Sequence, residues 1–536
     1  MHFRIPCWLA GTLAIAAIFG AASIGQAQQL GSDPSYLSTS DGSSGSAQII
    51  NTSAAVPAGD LSARVAVLEK ALADAKAKAD ADKKAASGKP TVNLGGKLQL
   101  DTAAFSQNAA SVTAFGNAQN GFEARRVRLK AYGTGFDVVE YAVEADFADK
   151  TFAPTVTTAA GGGAVALGSP GVKMKDVYIG VTELPVVGNV RIGHFKEPFG
   201  LEQLTGDNFY TFMEASTADD GAFVPVRDTG VMLWNWTENQ RATWAFGVFK
   251  GAGVESTDGN STNANFEAPL SIKSDDGLSL TERFTWLPWY DECTEGRGLL
   301  HTGISYSYRD PGNGSGTGEI VQFTQTSEAH LGPSIINMVF NGSPSATAAN
   351  NAANALQHED LVGGELAWVY GPFSVQSEYM GGYFNYFAGK GHNLAGTGGK
   401  GYGGYIFASY FLTGENRAYD RHHGVFTRVK PFENFFRVRG EDGCVYTGMG
   451  AWEIGYRLSY INLDNANGID QTATAGLAAT RAVDHTVGLN WYLNPYTKMM
   501  LNYVHTDDSV GAAYAVAAAS SRGSIDTIEM RAQIDF

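Results

Sequence analysis

The chain has 536 residues and a formal net charge of −16. Glycine is abundant at 65 residues, aromatic residues make up 11% and charged residues only 17%, which favours many strands and turns over a helical enzyme. The acidic balance argues against a nucleic-acid partner, which requires a basic face.

The first residues predict export. A short basic start with Arg4 precedes an apolar run from Trp8 to about Ile24 and small residues at Gly25 and Ala27, which is typical of a secretory signal over residues 1–27. A membrane-anchoring helix is the alternative, but the run is short and ends in a cleavage-like site. No later run of about 18 apolar residues follows, so the exported chain is expected either to be soluble or to cross a membrane as a β-barrel.

Two further segments precede the strand-rich region. Residues 28–60 are rich in Ser, Gly and Ala and predict a flexible linker. Over residues 61–87 apolar side chains recur at spacings of four and three, which predicts a short oligomerising coiled-coil helix; a single solvated amphipathic helix is the alternative. The residues that carry this repeat are Leu61, Val65, Leu68, Leu72, Ala75 and Ala79.

From Thr91 onward the apolar period is two. In the last segment Ile528, Met530 and Ile534 share one face, while Glu529 and Arg531 lie on the other, as in a strand with an apolar side and a wet side. We predict sixteen such strands. They begin near Thr91, Glu123, Val138, Lys173, Asn189, Asp228, Arg241, Leu278, Leu299, Asp360, Ser374, Tyr402, Ala451, Ala482, Lys498 and Ser524.

The connections between these strands alternate between short and long. Turns such as "GTGF" and "NPYT" alternate with loops such as 149–172 and 310–359; only 413–450 is long on the short-turn side. This alternation and an even strand count are typical of an outer-membrane barrel, and neither a soluble sandwich nor a β-helix explains them. The predicted fold class is therefore all-β, a sixteen-stranded antiparallel transmembrane β-barrel over residues 91–536, with an N-terminal short coiled-coil helix.

Aromatic residues on the apolar faces predict the girdles of such a barrel, because aromatic rings favour the membrane interfaces. They are Trp286, Tyr306, Tyr308, Trp368, Tyr370, Tyr379, Tyr383, Trp452, Tyr456, Tyr460 and Trp491.

Several stretches resemble the phosphate-selective porin O and P family: "FEARRVRLKAYG", "VRIGHFKEPFGLEQLTGDNFYTFME", "YFLTGENRAY", "WEIGYRLSYINL" and "VGLNWYLNPYTKMMLNYVHTD". The resemblance covers roughly Thr91–Phe536. It implies a homotrimeric outer-membrane porin in contact with outer-membrane lipid, in which small anions pass a ladder of arginines and the third long loop narrows each pore. The family's paired arginines match Arg125 and Arg126, and Phe536 matches the signal read by the barrel insertion machinery.

Strand parity divides the basic cluster of "FEARRVRLK". Arg126, Arg128 and Lys130 share one face and are predicted to line the lumen as an anion path, while Arg125 is predicted to face lipid and reach the headgroups. The alternative is that the three lumenal cations only balance the lumenal Glu144 and Asp146 of the neighbouring strand. Further lumen-phase candidates for the anion path are Arg191, Arg283, Arg309 and Arg457, together with Arg531.

The predicted constriction loop is acidic. It contains no Lys or Arg between Glu197 and Val226, although Lys196 and Arg227 bracket it. Its carboxylates either orient the facing arginines or repel phosphate, so a phosphate path and a broader channel for small hydrophilic solutes both remain open. The acidic residues are Glu197, Glu202, Asp207, Glu214, Asp219 and Asp220.

The remaining polar features predict no enzyme and no cofactor. No HExxH, CxxC or phosphate loop occurs, and His422 and His423 are interpreted as a solvated turn rather than a metal site. Cys293 and Cys444 both fall on the short-turn side, where they either form a disulfide or remain two thiols. An alternative function is a structural outer-membrane anchor, tethered to the periplasm or cell wall through the coiled coil.

Overall fold

The computed structural model describes residues 89–148, 172–219, 223–250, 277–310, 320–341, 356–386, 398–436, 438–439, 445–466, 479–509 and 523–536, together with Lys70 and Lys76, which are both helical. The predicted signal (1–27), linker (28–60) and the rest of the coiled coil (61–87) lie outside the described residues and stay predictions. Among the described residues no helix is long and apolar enough to span a bilayer.

The strands form a closed antiparallel barrel of sixteen members, as predicted, and each begins within four residues of its predicted start. In the first half these are β1 (Asn93–Gln107), β2 (Gly121–Gly135), β3 (Val139–Asp146), β4 (Lys173–Leu184), β5 (Gly188–Lys196), β6 (Arg227–Trp236), β7 (Ala242–Lys250) and β8 (Leu278–Tyr290). The second half comprises β9 (Gly298–Asp310), β12 (Leu356–Tyr370), β13 (Phe373–Tyr386), β14 (Gly399–Phe411), β19 (Ala451–Asn465), β20 (Arg481–Asn494), β21 (Thr497–Ser509) and β22 (Gly523–Asp535).

Short elements occur in the connections. Three two-stranded hairpins are β10 (Ile320–Thr326) with β11 (Ser334–Asn341), β15 (Tyr419–Asp420) with β16 (Val425–Phe426), and β17 (Val438–Arg439) with β18 (Val445–Tyr446). Helical turns span Ala109–Phe115, Leu201–Leu204 and Glu292–Thr294.

The barrel closes where β1 pairs with β22. The backbone amide of Gly96 donates to the carbonyl of Phe536 at 2.9 Å, and the Phe536 amide donates back at 3.0 Å. A Cβ at residue 96 would lie 2.5 Å from the Arg128 carbonyl oxygen and 2.8 Å from the Phe536 ring. Glycine at this position therefore permits the close approach of β1, β2 and the terminal residue.

The two faces of the wall differ as the period of two predicts. Aromatic side chains such as Trp286 (51% exposed) and Tyr370 (64% exposed) lie on the outer face, whereas polar side chains such as Gln99, Ser307 and Thr527 are buried inside. Sixteen strands enclose a space too wide for wall side chains alone to fill, so further chain must enter the lumen if it is to be narrow.

Among the described residues, three connections enter the lumen. In the loop between β5 and β6, Phe212 packs edge-on against wall residue Phe407 with ring centroids 5.4 Å apart. The turn between β10 and β11 brings the buried Glu328 to Arg457. On the short-turn side, Phe426 lies in the connection after β14. It packs in an apolar cluster with Leu201 of the loop between β5 and β6. Because the connection after β14 extends into the lumen, it is longer than the other connections on the short-turn side.

Candidate functional site: the constriction and the channel

The basic cluster on β2 lies beside the loop between β5 and β6, which we call the constriction loop (197–226). Arg126 and Arg128 are buried inside the barrel at 6% and 8% exposure, and the Lys130 side chain is 32% exposed. All three lie on the lumenal side. The three basic side chains at alternate positions of β2, which strand parity assigned to one face, therefore lie on its lumenal face.

The prediction that Arg125 faces lipid is wrong. The pairing of β1 with β2 shifts between Gln99, opposite Arg126, and Leu100, opposite Ala124, so Arg125 is the extra residue of a β-bulge. A bulge adds a residue to one strand and re-aims a side chain. The Arg125 guanidinium consequently turns inward and donates twice to the Glu214 carboxylate, both times at 2.9 Å.

Asp207 of the constriction loop collects three cations from the wall. Its Oδ2 lies 2.7 Å from Arg126 Nε and accepts a hydrogen bond from Arg128 Nη1 at 2.9 Å, and Lys97 bonds the other oxygen. Burial alone would raise the pKa of Asp207, but these positive charges outweigh it and hold the pKa well below its usual range. The loop carboxylate is thus ionised and compensated at neutral pH.

Glu214 forms a second centre in the same loop. Besides Arg125, it accepts hydrogen bonds from Arg126 at 3.2 Å and from Arg531 at 2.5 Å, and Arg531 also binds Asp101 at 2.6 Å. Burial opposes the charge of Glu214, but the three guanidiniums hold its pKa well below the usual range. The geometry agrees with the expectation that acidic loop residues orient the facing arginines.

The arginines of the opposite wall are enclosed by carboxylates. Arg309, fully buried, lies 2.6 Å from Glu197, 2.9 Å from Asp228 and 3.4 Å from Glu359. Arg457, 1% exposed, donates to Glu202 at 3.1 Å and lies 2.7 Å from Glu328. These predicted path residues therefore bind the loops that enter the lumen.

Glu328 is a site residue that sequence reasoning missed. Its carboxylate accepts hydrogen bonds from Arg457, Ser459 and Thr486, and it is 1% exposed. It lies in the connection 311–355 between β9 and β12, which the period-two pattern identified only as a long loop. The isolated apolar runs "IVQF" and "IINMVF" on either side are the signal of the hairpin that carries it inward.

A cavity of about 450 Å³ remains between the constriction loop and the wall formed by β1 to β5. Asp176 in the lining of this cavity binds two cations. It accepts a hydrogen bond from Arg227 at 2.8 Å and one from Lys130 at 3.5 Å. We call this space the channel cavity. Its basic lining residues are Lys97, Arg128, Lys130, Lys196, Arg227 and Arg428, and its acidic ones are Glu144, Asp176, Asp207 and Asp535.

The other two predicted path residues, Arg191 and Arg283, line a second cavity of about 230 Å³. Arg191 donates to Glu140 at 2.9 Å, and Arg283 donates to Glu365 at 2.7 Å and to the Gly424 carbonyl at 2.9 Å. The structure therefore does not bring the predicted arginines into one line. It divides them between two cavities and a set of buried loop contacts.

The remaining predicted sites are placed as follows. Asp219 is buried in the constriction loop, and Asp220 lies outside the described residues. Cys293 is exposed in a short turn, while Cys444 lies outside the described residues, so the disulfide stays a prediction. Phe536 is 61% exposed at the closing seam.

The two histidines, which the sequence analysis interpreted as a solvated turn, both stack on tryptophan rings. His422 stacks on Trp236 at 4.4 Å and His423 stacks on Trp234 at 5.0 Å between ring centroids. In the part of the chain that the structure describes, no three His, Cys, Asp or Glu side chains are arranged to hold a metal ion.

Comparison with known proteins agrees with this geometry. The family described as "Phosphate-selective porin O and P" matches residues 92–536. The chain belongs to that family. It is an outer-membrane porin, and the short-turn side of its barrel is periplasmic.

Similar proteins include Porin O of Pseudomonas aeruginosa, which is 26% identical over 415 residues, or 77% of this chain and 82% of that protein. Among solved structures, a loop-deletion mutant of OmpT from Vibrio cholerae shows 9% identity and a TM-score of 0.42, covering 83% of this chain and 99% of that chain. OprB of Pseudomonas putida shows 9% identity and a TM-score of 0.41, covering 84% and 96%.

Proposed function

We propose that this porin conducts small anions, phosphate among them, and that they pass along the β1 to β5 wall through the channel cavity. The observation that carries the proposal is the charge of that cavity, whose lining has six basic and four acidic side chains. The chain as a whole has the opposite sign, at −16. A permeating ion responds to the charge inside the pore, so the net acidity of the chain does not oppose anion passage.

The constriction loop supports the proposal because its carboxylates are already compensated. Asp207 and Glu214 together contact five basic side chains, with Arg126 shared between them. A carboxylate surrounded by cations contributes little net negative field, so the loop narrows the pore without repelling an anion. This argument favours orientation over repulsion, the two alternatives that the acidic sequence leaves open.

The ion pairs of Lys130 with nearby carboxylates also suit the passage of anions. Lys130 shares Asp176 with Arg227, and the Lys130 ammonium lies 3.8 Å from Glu144. Because each cation is partly neutralised, an entering phosphate finds several donors and no single deep trap. Conduction requires binding that is favourable enough for entry and weak enough for release. The family description supports phosphate as one of the permeants.

The test is the reversal potential of the purified porin in a planar bilayer under a potassium chloride gradient. We expect anion selectivity in the wild type and a permeability ratio about fivefold lower in Lys130→Ala, since removing one unit charge near the path changes the energy by about 1 kcal/mol. Arg481→Ala is the matched control, because Arg481 pairs with Asp464 on the outer face. Cation selectivity in the wild type would contradict the proposal.

We also propose that the porin assembles as a homotrimer through the outer face of β1 to β6. On that face the described residues include no Trp and one Tyr, Tyr141, whereas the remaining strands carry Trp244, Trp286, Trp368, Trp452 and Trp491. Aromatic girdles mark lipid-facing wall. A sector without them, bearing aliphatic residues such as Leu129 at 54% exposure, fits contact with a second copy.

A cysteine comparison tests this interface in a Cys293→Ser and Cys444→Ser background. Leu129→Cys is expected to form covalent dimers in the membrane with a long bifunctional maleimide, and Leu366→Cys, equally outward and 47% exposed on β12, is expected to stay monomeric. Equal cross-linking at both positions would contradict the proposed interface.

A further inference from the structure

The second cavity lies on the periplasmic side of the constriction loop and differs in chemistry from the channel cavity. Asp176, Lys196 and Leu204 line both cavities, so the two adjoin. The basic lining residues of the second cavity are Arg191, Lys196 and Arg283. Its apolar lining residues include Phe195, Pro198, Leu204, Met232, Trp234 and Val425. We call this space the aromatic cavity.

The aromatic wall is held by stacking. Trp234 lies between His423, at 5.0 Å, and Trp236, at 5.6 Å. The guanidinium carbon of Arg191 lies 4.0 Å from the centre of the Tyr178 ring and 5.7 Å from that of Trp234. Such contacts orient the rings and the cation, which gives the cavity an apolar surface beside a positive charge.

Trp234 also has an unsatisfied donor. Its side chain is 9% exposed, and its indole Nε1–H is enclosed without a hydrogen-bond partner among the described residues. An enclosed donor with no acceptor costs about 1–3 kcal/mol, and such a group in a native structure requires an explanation. A small rotation of the indole toward the cavity would allow a bound acceptor to remove this cost.

We propose that the aromatic cavity binds a small carboxylate with a flat apolar body, of which benzoate is the simplest example. The apolar body would pack against Met232 and Trp234, and the carboxylate would lie toward Arg191 and Lys196 and accept from the indole N–H. The volume of about 230 Å³ is below the roughly 300–1,000 Å³ of pockets for drug-sized ligands, so a single ring is the fitting size.

The basic residues that line the aromatic cavity attract such a solute without trapping it. Arg283 already donates to Glu365 and to backbone carbonyls, and Arg191 is paired with Glu140. A carboxylate therefore meets partly compensated charges, which suits passage more than storage. This inference rests on the proposed anion function and adds a solute class to it. Phosphate lacks the apolar body, so it would gain nothing from the aromatic wall.

The probe is 4-fluorobenzoate, observed by ¹⁹F NMR with the purified full-length porin in micelles. We expect saturable line broadening that is weakened at least about fivefold in Trp234→Phe, because the ring stays while the donor is lost. Trp286→Phe is the matched control, since Trp286 is 51% exposed on the outer face. Absence of saturable binding to the wild type, or equal affinity in Trp234→Phe and wild type, would overturn the proposal.

A second measurement needs no variant. Benzoate, cyclohexanecarboxylate and acetate are added in turn to a bilayer that carries chloride current, and benzoate is expected to block most strongly and acetate least. Equal block by benzoate and acetate would overturn the proposal. The anion path and the aromatic site can be refuted separately. If the porin is cation-selective but still binds fluorobenzoate in a manner that depends on Trp234, only the anion path is refuted. Anion selectivity without that binding refutes only the aromatic site.

Discussion

Inward-facing basic side chains differ in their surroundings, as a comparison of Arg309 and Arg457 on the far wall with Lys130 on the near wall shows. Arg309 and Arg457 on the far wall are buried and enclosed by carboxylates from the loops. Lys130 on the near wall is 32% exposed and lies at longer distances, 3.5 Å and 3.8 Å, from its two acidic neighbours. Strand parity places all three inside the barrel. Whether an inward cation lines the path or holds a loop is decided by the carboxylates around it.

The largest expected effect is on loop anchoring. Glu214→Gln removes the charge that faces Arg125, Arg126 and Arg531, and breaking a buried ion pair by removing one partner costs about 3–5 kcal/mol. We expect a lower unfolding temperature, measured by heat-modifiable gel mobility, and a noisier single-channel current. Glu238→Gln, in an exposed turn, is the control. An unchanged unfolding temperature in Glu214→Gln would show that the constriction loop is held by other contacts.

Arg309→Met sharpens the contrast between the two walls. It leaves Glu197, Asp228 and Glu359 without their shared cation, so we expect destabilisation of similar size, about 3–5 kcal/mol. In channels that still fold, the chloride-to-potassium permeability ratio is expected to stay near the wild-type value. A drop in that ratio as large as the one in Lys130→Ala would mean that anions also pass along the far wall.

Acidification provides a third test. The pKa values of Asp207 and Glu214 are both held below the usual range by facing cations. Their ionised forms therefore contribute stability that is complete above the ordinary pKa of a free carboxyl group, about 4, and is lost as pH falls through the lowered values. We expect the contacts of these two carboxylates to hold from pH 7 to about 4 and to loosen below that, which is measured as fluctuation of the single-channel current. Fluctuation that begins near pH 6 would contradict this account.

The smallest expected effect is in the periplasmic connection. Arg421 pairs with Glu292 at 2.9 Å, and that carboxylate is 54% exposed, so the pair contributes at most about 1 kcal/mol. Arg421→Ala is expected to leave the unfolding temperature within error and to change the current only slightly. A large loss of stability would show that the hydrogen bonds of Arg421 to the Asn239 and Gln240 carbonyls anchor the whole connection.

The barrel was predictable because its signal is local. An apolar face against lipid and a polar face against water force a period of two, and all sixteen strands start within four residues of the predicted positions. The lumenal position of Arg126, Arg128 and Lys130 follows from the same rule. The rule failed at Arg125, where one inserted residue changes the parity and only the pairing with β1 reveals it.

Most of the constriction could not be predicted because its contacts are not local. Arg309 with Glu197 and Arg457 with Glu328 join residues more than one hundred positions apart, and nothing in their own segments specifies the partner. The aromatic cavity depends in the same way on a periplasmic connection that returns His422 and His423 to Trp236 and Trp234. The length of that connection was visible in the sequence, but its direction was not.

The central claim is that anions move along the near wall and that the far wall is closed by loops. Its most direct test is cysteine accessibility in a Cys293→Ser and Cys444→Ser background, measured as loss of chloride current on adding a sulfonate-bearing thiol reagent. Lys130→Cys is expected to react quickly and to lose current, whereas Ser307→Cys, at a fully buried position on β9, is expected to stay unmodified. Rapid modification at 307 together with an unreactive cysteine at 130 would contradict the account.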